Sequence, residues 1–163
     1  MKIWFDTEFI EDGKTIDLIS IGMVREDGET LYLESSDCDL SRASDWVKAN
    51  VFPSLTGKSA AVPRWRIAQC VRNFAGEKPE FWAYYADYDW VALCQIYGTM
   101  MDLPKGWPMF CLDIKQQAHM LGNPNLPERE RGHHNSLEDA MWNRMAHEFL
   151  GTLADAKSKP PEA

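Results

Sequence analysis

Apolar residues open the chain as a run, Ile3-Trp4-Phe5, that passes directly into Asp6-Thr7-Glu8. This predicts a first strand ending in acids. Asp12-Gly13-Lys14 follows as a turn. Asp17 to Val24 (DLISIGMV) predicts a second strand, apolar enough to lie inside a sheet. Asp27-Gly28 marks a hairpin, and Leu31-Tyr32-Leu33 is the returning third strand. Three consecutive strands with tight turns make an antiparallel meander.

The pattern then changes. Ser41 or Ser44 can cap a short helix running through Val47 and stopping near Pro53. From Arg64 to Phe74, Ile67, Cys70, Val71 and Phe74 fall on one helical face. Glu80 to Tyr85 reads as an aromatic strand, Asp89 to Tyr97 as a helix starting after it. Phe110 to Leu112 suggests a short strand leading into a helix through Leu121. Gly122 to Asn135 is a loop with the charged stretch Glu128-Arg129-Glu130-Arg131. A last helix spans Ser136 to about Leu150. Its core stripe is predicted as Leu137, Met141, Met145 and Phe149. A meander followed by β-α alternation predicts an α/β fold, with a mixed sheet of antiparallel and parallel strands flanked by α-helices.

Composition bounds this picture. The 163 residues suit one domain, expected over 1–153, with 154–163 as a flexible tail ending in KSKPPEA. With 45% hydrophobic and 26% charged residues, intrinsic disorder of the whole chain is excluded. No apolar run approaches the ~18 residues of a membrane span. The first residues, MKIWFDTEFI, bring acids too early for a secretory signal. Cys38, Cys70, Cys94 and Cys111 form no CxxC pair, so reduced, mostly buried thiols in a cytoplasmic protein are expected. The net charge of −8 argues against a nucleic-acid binder built on basic surface. It leaves room for an enzyme that gathers carboxylates around divalent cations, because bound metals invert the local field.

Candidate chemistry lies in three places. Asp6 and Glu8 are two apart on a strand, so both carboxylates share one face. A divalent cation relieves their repulsion, although a solvated strand end is the plainer reading of such a pair alone. Asp89 follows Tyr88 at a strand-to-helix junction, where it can also serve as a helix-start acid, and Asp87 competes for that role. His134 and Asp139 stand in HNSLED. Ser136 and Asp139 also match a capping box, while histidine, as a residue type that titrates near neutrality, makes His134 a candidate general base.

Taken together, in this order, the three resemble the motifs of the DEDD superfamily of 3′-5′ exonucleases, in the subtype with a histidine in its third motif. D-x-E matches Asp6-Thr7-Glu8, the aromatic-Asp motif matches Tyr88-Asp89 with Leu93, and H-x4-D matches His134 and Asp139. Within the superfamily the likeness is greatest to small bacterial polyadenylate-specific exoribonucleases. It spans most of residues 1–150, through DTEFIEDG, IDLISIG, the Trp46 to Pro53 segment and YDWVALCQIYG. The second motif lacks an Asn that many relatives carry shortly before the Asp.

The resemblance implies an RNase H-like fold and two divalent metal ions, Mg²⁺ or Mn²⁺, held by Asp6, Glu8, Asp89 and Asp139. It casts Asp6 as the bridging ligand and His134 as the base that takes a proton from the attacking water. It implies a single-stranded RNA substrate shortened from its 3′ end to 5′-nucleotides, and a homodimer. Candidate substrate contacts are Phe9, which can stack on a base, and Arg64 and Arg66, with Lys58 and Arg72 nearby. The plainer readings are a core Phe9 and a solvated arginine face. Trp82 and Trp90 are candidates to line the groove. A DNA exonuclease of the same superfamily, a non-catalytic binding module, and a zinc hydrolase using His119, His133 and His134 are the competing readings.

Overall fold

The computed structural model describes residues 1–57, 60–129 and 134–158. Its sheet has strands β1 (Lys2–Glu11), β2 (Ile16–Arg25), β3 (Thr30–Glu34), β4 (Glu80–Ala83) and β5 (Leu112–Asp113). Their order is β3-β2-β1-β4-β5. The first three strands pair antiparallel, as the meander requires, and β1-β4 and β4-β5 pair parallel. The helices are α1 (Asp45–Asn50), α2 (Arg64–Ala75), α3 (Ala86–Gln95), α4 (Ile114–Met120) and α5 (Ser136–Ser158). Ser44, rather than Ser41, caps α1, accepting from the Val47 amide.

Alternation along β1 divides the molecule into two layers. Ile3 and Phe5 join Ile21 and Met23 of β2 against Ile67, Val71 and Ala75 of α2 and Ala92 and Leu93 of α3. Trp4, on the other face, packs with Ile114 and Ala118 of α4 and Ala146 and Leu150 of α5. The pairing of β1 with β2 steps from Glu8 opposite Ser20 to Phe9 opposite Leu18. Ile19 is thus an extra residue on β2, a bulge set directly against Glu8. Bulges bend a strand and re-aim its side chains, and Ile19 packs with Ile10, Ala43 and Val51 beneath α1.

The last helix differs from its expected pattern. It runs to Ser158, beyond Leu150. Met141 and Met145 are exposed, so they are not core, and Leu137 and Phe149 are only half-buried. The buried face is instead Ser136, Asp139, Ala140, Asn143, Ala146, His147 and Leu150. The cause lies on the strand below. A Cβ on Gly22 would collide with the backbone of Ser136 and Leu137, so α5 lies directly on the sheet. Such an approach admits small side chains or polar ones with partners. Asn143, for example, donates from Nδ2 to the Phe5 carbonyl at 2.9 Å.

Helix α3 starts at Ala86, before the Asp89 expected from sequence. Tyr85 turns the chain in a left-handed conformation, φ 58° and ψ 50°. The Ala86 amide then donates to Asp113 Oδ2 at 2.7 Å, while Asp113 Oδ1 caps α4 through the Gln116 amide at 2.7 Å. One carboxylate therefore ties the starts of two helices.

Candidate active site

Asp6 and Glu8 emerge from β1 on the face covered by α5, as their spacing demands. Glu8 is buried and Asp6 half-buried. Asp139 comes down from the first turn of α5. It does not cap that helix. Asn135 does, its Oδ1 accepting from the Leu137 and Glu138 amides at 3.0 and 3.2 Å. Ser136 points away to Ser20, with hydroxyl oxygens 3.0 Å apart. The capping-box alternative for Asp139 is thereby replaced, and its carboxylate is free to face Glu8.

Asp89 arrives from α3 and is buried, whereas Asp87 is exposed. Pairing of β1 with β4 ends at Trp4, so the amide of Thr7 has no β4 partner. That amide and the Thr7 hydroxyl both donate to Asp89 Oδ1, at 2.8 and 2.6 Å. Thr7, the middle residue of D-x-E, fixes the second-motif acid, a role that periodicity alone does not reveal.

The acids act on one another. Glu8 is pushed up to about 8, first by burial and then by the charges of Asp139 and Asp89, against the opposing pull of Arg129. Asp6 is raised well above its ordinary range by burial, then by Asp89, Asp139 and Glu8, with Arg129 again opposing. Asp89 rises to about 6 through burial, held back by its two hydrogen bonds from Thr7. Buried carboxylates that raise one another's pKa form a site short of positive charge.

His134 stands beside them, half-buried. Its amide donates to the Asn50 carbonyl at 2.8 Å, and its own carbonyl accepts from the Ser54 hydroxyl. Trp46 meets the imidazole edge-on, with ring centres 4.9 Å apart. Thus α1 and the turn after it hold the histidine, a use of the Trp46 to Pro53 segment that sequence reading did not supply. Glu8, His134 and Asp139 bring ligand atoms within 4.8 Å of one another. Carboxylate oxygens, with neutralisation wanting, suit hard divalent cations such as Mg²⁺ or Mn²⁺. The residues present therefore fit the metals that the fold family implies.

Other candidates fall elsewhere. Phe9 stacks on Tyr88, ring centres 5.8 Å apart and planes at 22°, beside Glu8 and Asp89. Arg64 and Arg66 are not brought to the acids. They lie on α2, which packs on the opposite face of β1. Arg64 pairs with Asp17 at 3.1 Å, and exposed Arg66 bonds Gln69. Arg72 is exposed on the same helix, and Lys58 lies outside the described residues. Trp82 stacks on His147 at 3.9 Å, and Trp90 packs against Phe81 at 5.6 Å. Both are held in packing rather than along a groove. His119 is exposed on α4 and is not in the metal-ligand group found among the described residues; His133 lies outside them. A cavity of about 480 Å³ lined by Ile19, Cys38, Leu40, Phe52 and Leu55 includes none of the five motif residues.

This fold is the RNase H-like arrangement of a mixed five-stranded sheet flanked by helices. Exonuclease I superposes on it with a TM-score of 0.62 at 12% identity, covering 95% of this chain and 43% of that one. The chain thus spans less than half the length of exonuclease I. A chain from the yeast NOT1 MIF4G domain co-crystallized with CAF1 gives a TM-score of 0.52 at 12% identity, over 98% of this chain and 81% of that one. At such identities the likeness is one of fold.

The sequence carries the assignment further. Residues 1–150 match the Rv2179c-like 3′-5′ exoribonuclease domain, and the chain belongs to that family. The 3′-5′ exoribonucleases MT2234.1 and Rv2179c, from two strains of Mycobacterium tuberculosis, are each 41% identical over 148 residues. Those alignments cover 86% of this chain and 87% of each relative.

Proposed function

We propose that this chain is a metal-dependent 3′-5′ exoribonuclease of the DEDD type with a catalytic histidine, akin to the polyadenylate-specific enzyme RNase AS. The observation that carries the reading is convergence. Acids from β1, α3 and α5 and a histidine held by α1 meet around the Asp6 to Glu8 segment of β1, in a chain of an exoribonuclease family. Asp6, Glu8, Asp89 and Asp139 would hold two divalent ions, Mg²⁺ or Mn²⁺. Such a pair supplies charge stabilisation for the attacking and leaving oxygens of an in-line displacement.

The protein's own groups do the rest. Thr7 keeps Asp89 turned to the cluster. His134 accepts a proton from the water that attacks the terminal phosphodiester. The bond from phosphorus to the 3′-oxygen breaks, a 5′-nucleotide leaves, and the remaining chain keeps a 3′-hydroxyl that takes its proton from solvent. Phe9 and Tyr88 offer a platform for the terminal base. Residues 1–153 act as a single exonuclease domain in the cytoplasm, on single-stranded and adenylate-rich RNA. Among the described residues no helix is long and apolar enough to cross a membrane. The working form is a homodimer, for which exposed Tyr88, Val91, Met101 and Phe110 provide apolar surface.

The test is shortening of 5′-labelled oligo(A), mixed RNA and matched DNA, each with Mg²⁺, Mn²⁺ or EDTA, beside Asp139→Ala. A metal-dependent ladder from the 3′ end, strongest on oligo(A) and absent in the variant, is expected. Preference for DNA would move the enzyme to the other branch of the superfamily. Intact substrate in all lanes would overturn the reading.

A further inference from the structure

Charge patterning alone assigns Arg129 no role, and the structure sets it on the acids. Its guanidinium pairs with Asp139, and its charge is felt by both Asp6 and Glu8. No other ion pair among the described residues joins an arginine or lysine to Asp6, Glu8, Asp89 or Asp139. The segment that carries it is pinned. Leu126 packs against the Trp4 and Ile114 cluster, and Trp142 Nε1 donates to the Pro127 carbonyl at 3.1 Å. The Arg129 guanidinium also lies 5.6 Å from the centre of the Trp142 ring. The side chain thus has a carboxylate and an aromatic face to rest on, and it is 41% exposed, two residues beyond the anchored Pro127.

We propose that Arg129 is a resident counter-cation of the acidic cluster that yields Asp139 to divalent cations and then takes the phosphate of the terminal nucleotide. This rests on the metal-dependent nuclease reading above. A unit charge beside three acids lowers their mutual repulsion while the site holds no metal. Dications neutralise the same carboxylates, and the attraction that keeps Arg129 on Asp139 falls. The planar guanidinium then matches a phosphate in fork geometry. In a chain of net charge −8, a cation delivered at the reacting phosphate matters more than one on a distant helix. The Trp142 ring keeps the arginine near during the exchange.

The experiment is a Mn²⁺ titration of Arg129→Gln, Arg129→Lys and the unaltered protein at pH 8.5, where protons compete least. A second titration with AMP follows at saturating Mn²⁺, and thermal melts check folding. Removing the charge in Arg129→Gln should tighten Mn²⁺ binding by about tenfold, because one cation beside a dication is gone. The same variant should weaken AMP binding by about tenfold, through loss of a charge-assisted pair. Arg129→Lys should keep Mn²⁺ affinity near that of the unaltered protein and lie between the two for AMP. A purely structural arginine would weaken both together. Unchanged or weaker Mn²⁺ binding in a normally melting Arg129→Gln would overturn the inference alone, provided the unaltered protein binds Mn²⁺ and shortens RNA. An unaltered protein that binds no Mn²⁺ would overturn both readings.

Discussion

The two faces of β1 are made by the same residues in alternation, and they carry opposite chemistry. Ile3 and Phe5 face a layer of bulky apolar side chains from α2 and α3. Asp6 and Glu8 face α5, which presents Ala140, Asn143 and Ala146 above Gly22. The first face gains stability from area removed from water. The second sets carboxylates where each raises its neighbours' pKa. The acidic face leans on the core behind it, because its own carboxylates raise one another's pKa and oppose folding.

Substitutions separate the faces. Glu8→Gln or Asp139→Asn should lower turnover of oligo(A) on the order of 10³-fold. Glu8→Gln should not lower the metal-free melting temperature, since it removes repulsion from the cluster. Equal loss of activity and stability would contradict a division between faces. On the apolar face, Phe81→Ala should cost about 3–5 kcal/mol in denaturant unfolding. Phe81 touches Phe5, Trp90 and Trp107, so a loss below 1 kcal/mol would show that this face is not the principal core. Gly22→Ala, at the junction of the layers, should cost about 3 kcal/mol by lifting α5 off the sheet. Activity should fall with it as Asp139 withdraws from Glu8, and unchanged activity would show that α5 does not set the site.

A pH series sharpens the same contrast. Glu8 has a folded pKa of about 8 against an ordinary value of 4.5, and Asp89 about 6 against 3.8. The folded state therefore holds more protons than the unfolded one between these values, and stability falls as pH rises. Metal-free protein should melt progressively lower from pH 5 to pH 8. Added Mn²⁺ should restore more stability at pH 8 than at pH 5, and a flat metal-free profile would deny the clustering of acids. The smallest change is Thr7→Val, which keeps the amide bond to Asp89 but removes the hydroxyl bond. It should cost about 1 kcal/mol. A fall in kcat with little change in KM is expected, and an Asp89 pKa unmoved in carboxyl NMR would count against the positioning role.

Much of this was legible in the sequence for physical reasons. A period of two puts Asp6 and Glu8 on one face whatever the tertiary fold. The meander followed from turn residues, Gly13 and Gly28 among them, with φ of 82° and 93°. The preference for Asp89 over Asp87 comes from the motif spacing to Leu93 that the resemblance supplies, and Asp89 is buried where Asp87 is exposed. Hydropathy favours Met141 and Met145 for the α5 stripe, whereas the close approach at Gly22 selects small residues. The start of α3 was misplaced because nothing in the sequence announces a left-handed Tyr85. Arg64 and Arg66 were singled out by charge alone, and charge does not tell which side of a sheet a helix covers. Thr7, Trp46 and Arg129 were missed because their partners are distant in sequence.

Isothermal titration of the metal-free protein with Mn²⁺ at pH 8, beside Glu8→Gln, tests most directly that the α5 face is a cation site. Two ions per chain, with at least one lost in Glu8→Gln while its melting curve stays intact, is the result expected of the acids as they stand. No binding by the unaltered protein, or identical binding by the variant, would contradict it.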